Sequence, residues 1–250
     1  MFKNLMMGTA TLAFSLGMAG AANALIIDTF NDAPQAIRMV GPEAHPGGSD
    51  PSVTLLDNAG GLVAGSPGPH ASIIGGYRDI KTTLIGSSDA LAGTSSNATF
   101  GGGLFRHNQD SGVRSNSYIT WDGLGGAGLG GADLTDGGSS NKFRLIVAQA
   151  DDGVVWSLEL FDGSGGNDIF TFANAGVISS PVNLFLSFSN WAVDFTDITK
   201  IVFGANINST VDFDTSVDLI ETVGIPEPAS MTLLGAGIMG LGYMARRRKA

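Results

Sequence analysis

His45, His70 and His107 are the only imidazoles in this 250-residue chain, and cysteine is absent. Without thiols there is no disulfide, no thiolate metal site and no cysteine nucleophile. The histidines form no His-x-x-x-His or His-Glu-x-x-His pair, so two imidazoles do not share one helical face around zinc. Their neighbours Pro46, Pro69 and Arg106 place them in loops or at strand ends, in solvent. No Gly-x-Ser-x-Gly elbow marks a serine nucleophile, and Gly65-Ser66-Pro67-Gly68 misses the spacing. A Ser-His-Asp triad needs no sequence adjacency and stays open at this level. Glycosidase chemistry needs two carboxyl groups facing one cleft. Between the termini the glutamates are Glu43, Glu159 and Glu221. Glu159 alternates with apolar residues, so it faces a concave sheet surface or, on the preferred reading, plain solvent. The chain is therefore read as a non-enzyme, with no catalytic residue assigned.

Calcium is the cofactor the sequence accommodates best, because it takes six to eight oxygens from flexible acidic loops. Asp162-Gly163-Ser164-Gly165-Gly166-Asn167-Asp168 offers acids, an amide and open carbonyls, with Asp151 and Asp152 upstream. The EF-hand pattern is absent, and the Gly-Gly-x-Gly-x-Asp repeat is approached at Gly125 to Asp133 but is neither completed nor tandem. Aspartate and glycine also build ordinary turns, so no metal ligand is assigned. Asp28 and Asp218 are further positions to inspect. For sugar stacking the aromatics beside turns or polar residues are Tyr77, Tyr118, Trp121 and Trp191, although core or edge packing is the preferred reading of each. Trp156 is in register with Leu158 and Leu160 and reads as core. Arg78 and Asp79 are adjacent in an extended run and face opposite sides. A buried arginine needs a carboxylate, so a structural ion pair is expected at Arg78.

The elements that carry these residues read as strands. Phe143/Leu145/Val147, Trp156/Leu158/Leu160 and Val182/Leu184/Leu186/Phe188 each recur with period two, the pattern of half-buried antiparallel strands. Less regular strand candidates lie at 25–30, 52–57, 71–85, 97–106, 116–121, 168–173, 198–207 and 216–222. Glycine is 37 of 250 residues, and no helical period is sustained over three turns between the termini. Asp152-Gly153 between two alternating runs reads as the strongest hairpin. Gly41 to Pro51 and the glycine-rich stretch from Trp121 to Ser140 read as loops. About ten short strands in some 200 residues indicate an all-β fold, a two-sheet antiparallel sandwich of jelly-roll type. The first run (Leu25 to Phe30) and the last (Ser216 to Thr222) are expected to pair.

The termini read as addresses. Lys3, an uncharged apolar stretch from Leu5 to Gly20, and Ala22-Asn23-Ala24 follow the order of a cleaved secretory signal peptide, with Ala22 and Ala24 as the small-x-small site. Residues 1–24 are thus assigned to the signal and 25–225 to the sandwich. The body carries eight Lys+Arg against 22 Asp+Glu, a net charge of −14. That balance argues against nucleic acid, whose phosphates require a basic footprint. It is compatible with neutral glycans or calcium. At the other end Pro226-Glu227-Pro228 precedes seventeen uncharged residues, Ala229 to Ala245, and then Arg246, Arg247, Arg248 and Lys249. Seventeen helical residues span roughly 26 Å, enough for a somewhat thinned bilayer core. The basic run belongs on the cytoplasmic side.

This three-part tail, over residues 226–250, resembles the PEP-CTERM sorting signal of Gram-negative, exopolysaccharide-producing bacteria. The segments Trp121 to Thr135, Asp194 to Ile198 and Val217 to Thr222 also look like the bodies of other PEP-CTERM proteins. The resemblance implies recognition by an exosortase, a membrane-embedded transpeptidase-like enzyme that cuts at or beside the motif and releases or re-anchors the body. The chain is accordingly expected to be exported, anchored transiently in the inner membrane, and then deposited at the cell surface or in the extracellular polysaccharide matrix. The alternative reading of its body is a carbohydrate-binding module for exopolysaccharide, with or without calcium. A secreted glycan hydrolase on the same scaffold is the third.

Overall fold

The computed structural model describes residues 24–40, 52–87, 95–208 and 210–224. The signal-peptide region, His45, the 41–51 loop and the C-terminal tail with its expected transmembrane helix therefore lie outside the described residues. One compact unit spans Ala22–Ile225. It is built from strands β1 (Leu25–Asp28), β2 (Gln35–Val40), β3 (Ser52–Leu55), β4 (Asp79–Ser87), β5 (Ser95–Gly101), β6 (Leu104–Gln109) and β7 (Val113–Trp121). These are followed by β8 (Lys142–Ala150), β9 (Val155–Asp162), β10 (Asn167–Ala173), β11 (Val182–Ser187), β12 (Ile198–Ala205) and β13 (Thr215–Val223). The helices among the described residues are three short 3-10 turns.

The strands form two antiparallel sheets. The first runs β11-β8-β13-β6-β5-β2, with β1 also paired to β13, and the second runs β10-β9-β12-β7-β4-β3. The chain crosses repeatedly between them, which makes the fold a jelly-roll type sandwich. β13 lies inside the first sheet, held by β8 on one side and by β6 and β1 on the other. The expected pairing of the terminal strands is observed, with Leu25 opposite Thr222.

The alternation seen in sequence decides which side is core. Phe143, Leu145 and Val147 of β8 and Trp156, Leu158 and Leu160 of β9 are all fully buried between the sheets. Each large apolar side chain so buried contributes about 1.5–3 kcal/mol. A ring cluster of Phe143, Phe170, Phe188, Trp191 and Phe195 closes the β8/β10/β11 side, with Phe188 and Phe195 stacked at 4.0 Å.

Several connections differ from the sequence expectation. Asp151–Gly153 is not a hairpin, because β8 belongs to the first sheet and β9 to the second. The turn chemistry is right, but both flanking strands find long-range partners, and the segment arches over the sandwich edge. The run 97–106 is itself a tight hairpin, β5–β6, with Gly102 and Gly103 both at positive φ (60° and 77°) as a type I′ turn requires. The run 71–85 resolves into a 3-10 turn at Ile74–Gly76 followed by β4. β2, unmarked in the sequence reading, is a full edge strand pairing with β5.

Candidate functional site

Arg78 shows how the fold spends its buried charge. Its guanidinium is fully buried and pairs with Asp28 at 2.7 Å. Nε donates to Gln35 Oε1 at 3.0 Å, and Nη2 donates to the carbonyls of Ala33 (2.7 Å) and Asp32 (3.1 Å). The Asp28 carboxylate also accepts from Phe30 N–H and from Trp121 Nε1–H. Burial pushes the Asp28 carboxyl up, and Arg78 opposes that shift. The expected structural ion pair at Arg78 is therefore present, and Asp28 is its partner. Asp28 does not meet Asp218, which is exposed on β13.

Other sequence candidates are absorbed by the fold. Trp121 and Trp191 are buried, their indole N–H groups donating to Asp28 and to the Leu158 carbonyl. Their preferred reading as core packing therefore holds, and neither offers a sugar platform. His107 is fully buried instead of solvated. Its Nδ1 bonds Ser117 Oγ at 2.8 Å, and its Nε2 contacts Gln109 Nε2 at 3.1 Å. Ser117 Oγ continues to Thr82 Oγ1, and Gln109 Nε2 donates to Ser115. Desolvation lowers the His107 pKa to about 4. The imidazole is a neutral element of a buried network. His70 sits half-buried, with Nε2 at 2.8 Å from the Ser66 carbonyl.

The acidic loops are likewise committed. Asp162 accepts from Ser164 N–H and Oγ–H, Gly166 N–H and Asp194 N–H. These bonds, led by the Ser164 hydroxyl, hold its carboxyl below the ordinary range. Asp168 accepts from Ile169 and Ala192 N–H, and Asp151 from Asp214 N–H. Among the described residues no group of three or more His, Asp and Glu side chains is arranged to hold a metal ion. Ala24 is exposed immediately before β1, while Ala22 and the Pro226-Glu227-Pro228 motif lie outside the described residues.

What remains open is the outer face of the second sheet. The registers place Ser157, Glu159 and Phe161 of β9 beside Gly204, Val202 and Lys200 of β12, with Tyr118 and Thr120 of β7 next in line. Glu159 thus has Ile169 and Val202 as its cross-strand neighbours and Tyr118 nearby, where a glycosidase would need a second acid. Gly204 is buried under its neighbours: a Cβ there would lie 2.4 Å from Ser157 Oγ, 2.7 Å from Ile207 and 3.1 Å from the Tyr118 ring, so these side chains close over it. Burial, and secondarily the Glu159 charge, raise the Tyr118 pKa.

At one end the strip opens into a cleft of about 410 Å³. Its floor is Phe161, Thr199 and Lys200, and its walls are the loop carrying Asp122, Gly126, Ala127 and Gly128 and the β9–β10 turn with Asp162, Gly165 and Gly166. The Lys200 ammonium rests 3.6 Å from the Phe161 ring centroid. The Asp122 carboxyl is raised by burial, with Lys200 acting against that shift. Asp79, behind this wall, is raised to about 6 by burial and by the charges of Asp122 and Asp57. Asp57 ties the loop down by accepting from Gly125 N–H at 2.8 Å. Sequence reasoning gives Phe161, Lys200 and Asp122 no binding role. They come together only through strand register, and no spacing signal links residues 122, 161 and 200.

The comparisons with known proteins address both ends of the problem. Residues 224–249 match the PEP-CTERM protein-sorting motif. The chain is a PEP-CTERM sorting domain-containing protein. No curated protein matches the chain. Among solved structures, the family 11 carbohydrate-binding module of a Clostridium thermocellum cellulosomal cellulase is similar at 10% identity and TM-score 0.39, over 82% of this chain and 96% of that one. A second, TmCBM61 in complex with β-1,4-galactotriose, is similar at 14% identity and TM-score 0.31, over 56% and 80%. The enzymatically active domain of bacteriophage CBA120 tailspike protein 4 is similar at 14% identity and TM-score 0.30, over 58% and 17%.

Proposed function

We propose that this protein is an exported, non-enzymatic surface or extracellular-matrix protein delivered by exosortase processing of its C-terminal signal. The observation that carries the reading is the sorting motif at 224–249. Its parts follow in the order processing requires: Pro226-Glu227-Pro228, an apolar stretch, then a basic end. The last strand stops at Val223, so the motif follows the folded sheet almost directly. The non-enzymatic reading is supported by the burial of His107 in a neutral network and by the lack of a carboxylate partner beside Glu159 on its strand neighbours. Replacing Pro226-Glu227-Pro228 by alanines tests the sorting step. The variant is expected to stay membrane-bound and unprocessed. A variant released at wild-type size would overturn the proposal.

A second reading, carbohydrate binding, is favoured by one specific feature: the open cleft and strip on the second sheet. Its polar groups converge beside an aromatic ring, in a face that the sandwich core leaves uncovered. On that reading the body would hold exopolysaccharide once sorting has delivered it.

A further inference from the structure

We propose that the Asp122–Phe161–Lys200 cleft is the end subsite for a neutral oligosaccharide whose chain continues over the outer face of β12, past Val202 and Tyr118. This rests on the carbohydrate-binding reading and gives it a place and a ligand class. A pyranose ring presents neighbouring hydroxyls that both donate and accept. Asp122 supplies an acceptor from the wall of the cleft and Lys200 a donor from its floor. Lys200 is held against the Phe161 ring, its ammonium 3.6 Å from the ring centroid. Little rotamer entropy is then left to lose when a ligand arrives. The walls include Gly126, Gly128, Gly165 and Gly166, which let a bulky ligand approach backbone groups closely. A Cβ on Gly165 would meet nothing within 4 Å, so the mouth is unobstructed there.

Charge selects the class. Asp57, Asp79 and Asp122 lie on one side of the cleft with Asp162 on the other, and Lys200 is the cation lining it. The body as a whole carries −14. A polyanionic glycan would meet that field unfavourably, whereas a neutral one would not. From Lys200 to Gly204 the strip runs about 13 Å along β12, the span of a short oligosaccharide.

The test uses the full-length chain in a zwitterionic detergent without sugar headgroups. Titration calorimetry with cellohexaose, laminarihexaose and mannohexaose as neutral probes, and hexagalacturonate as the anionic one, reads the affinity. At least one neutral hexasaccharide is expected to bind. Asp122→Asn and Lys200→Met, each with unchanged thermal midpoint, should each weaken it about tenfold or more. Phe185→Ala, on an exposed residue of the other sheet, should leave it unchanged. Binding that survives both cleft variants would overturn the location and leave the carbohydrate reading standing. Preference for hexagalacturonate would overturn the ligand class. Failure of all four probes would overturn this inference and the carbohydrate reading together, without touching the sorting proposal.

Discussion

Replacing Asp28 by asparagine should be among the most damaging conservative changes in the body. The substitution keeps the shape and an acceptor oxygen for Trp121 Nε1–H and Phe30 N–H. It removes the carboxylate charge that pairs at 2.7 Å with a guanidinium that is fully buried. Breaking a buried ion pair from one side costs about 3–5 kcal/mol, because the other charge is left uncompensated. For a domain of this size each kcal/mol moves the thermal midpoint by roughly 2–4 °C, so a fall of about 6–20 °C follows. Urea unfolding of residues 25–225 at pH 7, where the core is closed within those residues, measures it. Adding Arg78→Met removes the stranded cation, so the double variant should lose less than the sum of the single losses by about 1.5 kcal/mol or more. The residual cost lies in Gln35 and in the Ala33 and Asp32 carbonyls, which lose their donor. An Asp28→Asn loss below about 1 kcal/mol with additive double-variant behaviour would refute the reasoning. It would mean that Asp28 is already neutral at pH 7, with burial outweighing Arg78.

His107 should make the fold acid-sensitive. It protonates near 6.5 in the unfolded chain but only near 4 when folded. The unfolded state therefore binds the extra proton, and stability should fall as pH drops through that window, by about 3 kcal/mol in total. Asp79, raised to about 6, pulls the other way in the same window, but it is half-exposed and its effect is screened. The cleaner readout is the difference between wild type and His107→Gln, whose stability should depend less on pH; identical pH profiles would contradict the assignment. Gly204→Ala should cost about 1–3 kcal/mol in urea unfolding, because its methyl would press on Ser157, Ile207 and Tyr118. An unchanged unfolding midpoint would show that these neighbours yield freely.

Much of this was legible where one local pattern decides the structure. The alternation of Trp156, Leu158 and Leu160 shows the inner face of β9, and the opposite facings of Arg78 and Asp79 in an extended run point to the buried pair. Local pattern misleads where distant partners compete. Asp152-Gly153 has hairpin chemistry, yet its flanking strands pair with β13 and β12. Gly102-Gly103 has the same chemistry and does make a hairpin, masked by continuous strand character on both sides. Its flanks made His107 look solvated, although a serine-rich strand can satisfy a buried imidazole. The cleft was the least legible feature. Phe161 and Lys200 meet because β9 and β12 are neighbours, and Asp122 joins them one residue beyond the end of β7.

The account stands or falls on sorting. The direct measurement is an immunoblot of fractionated cells expressing the full chain in a host with its exosortase and in the same host lacking it. The account predicts a shortened form, leaving the inner-membrane fraction, only where the enzyme is present. The same size and the same distribution in both hosts would contradict it.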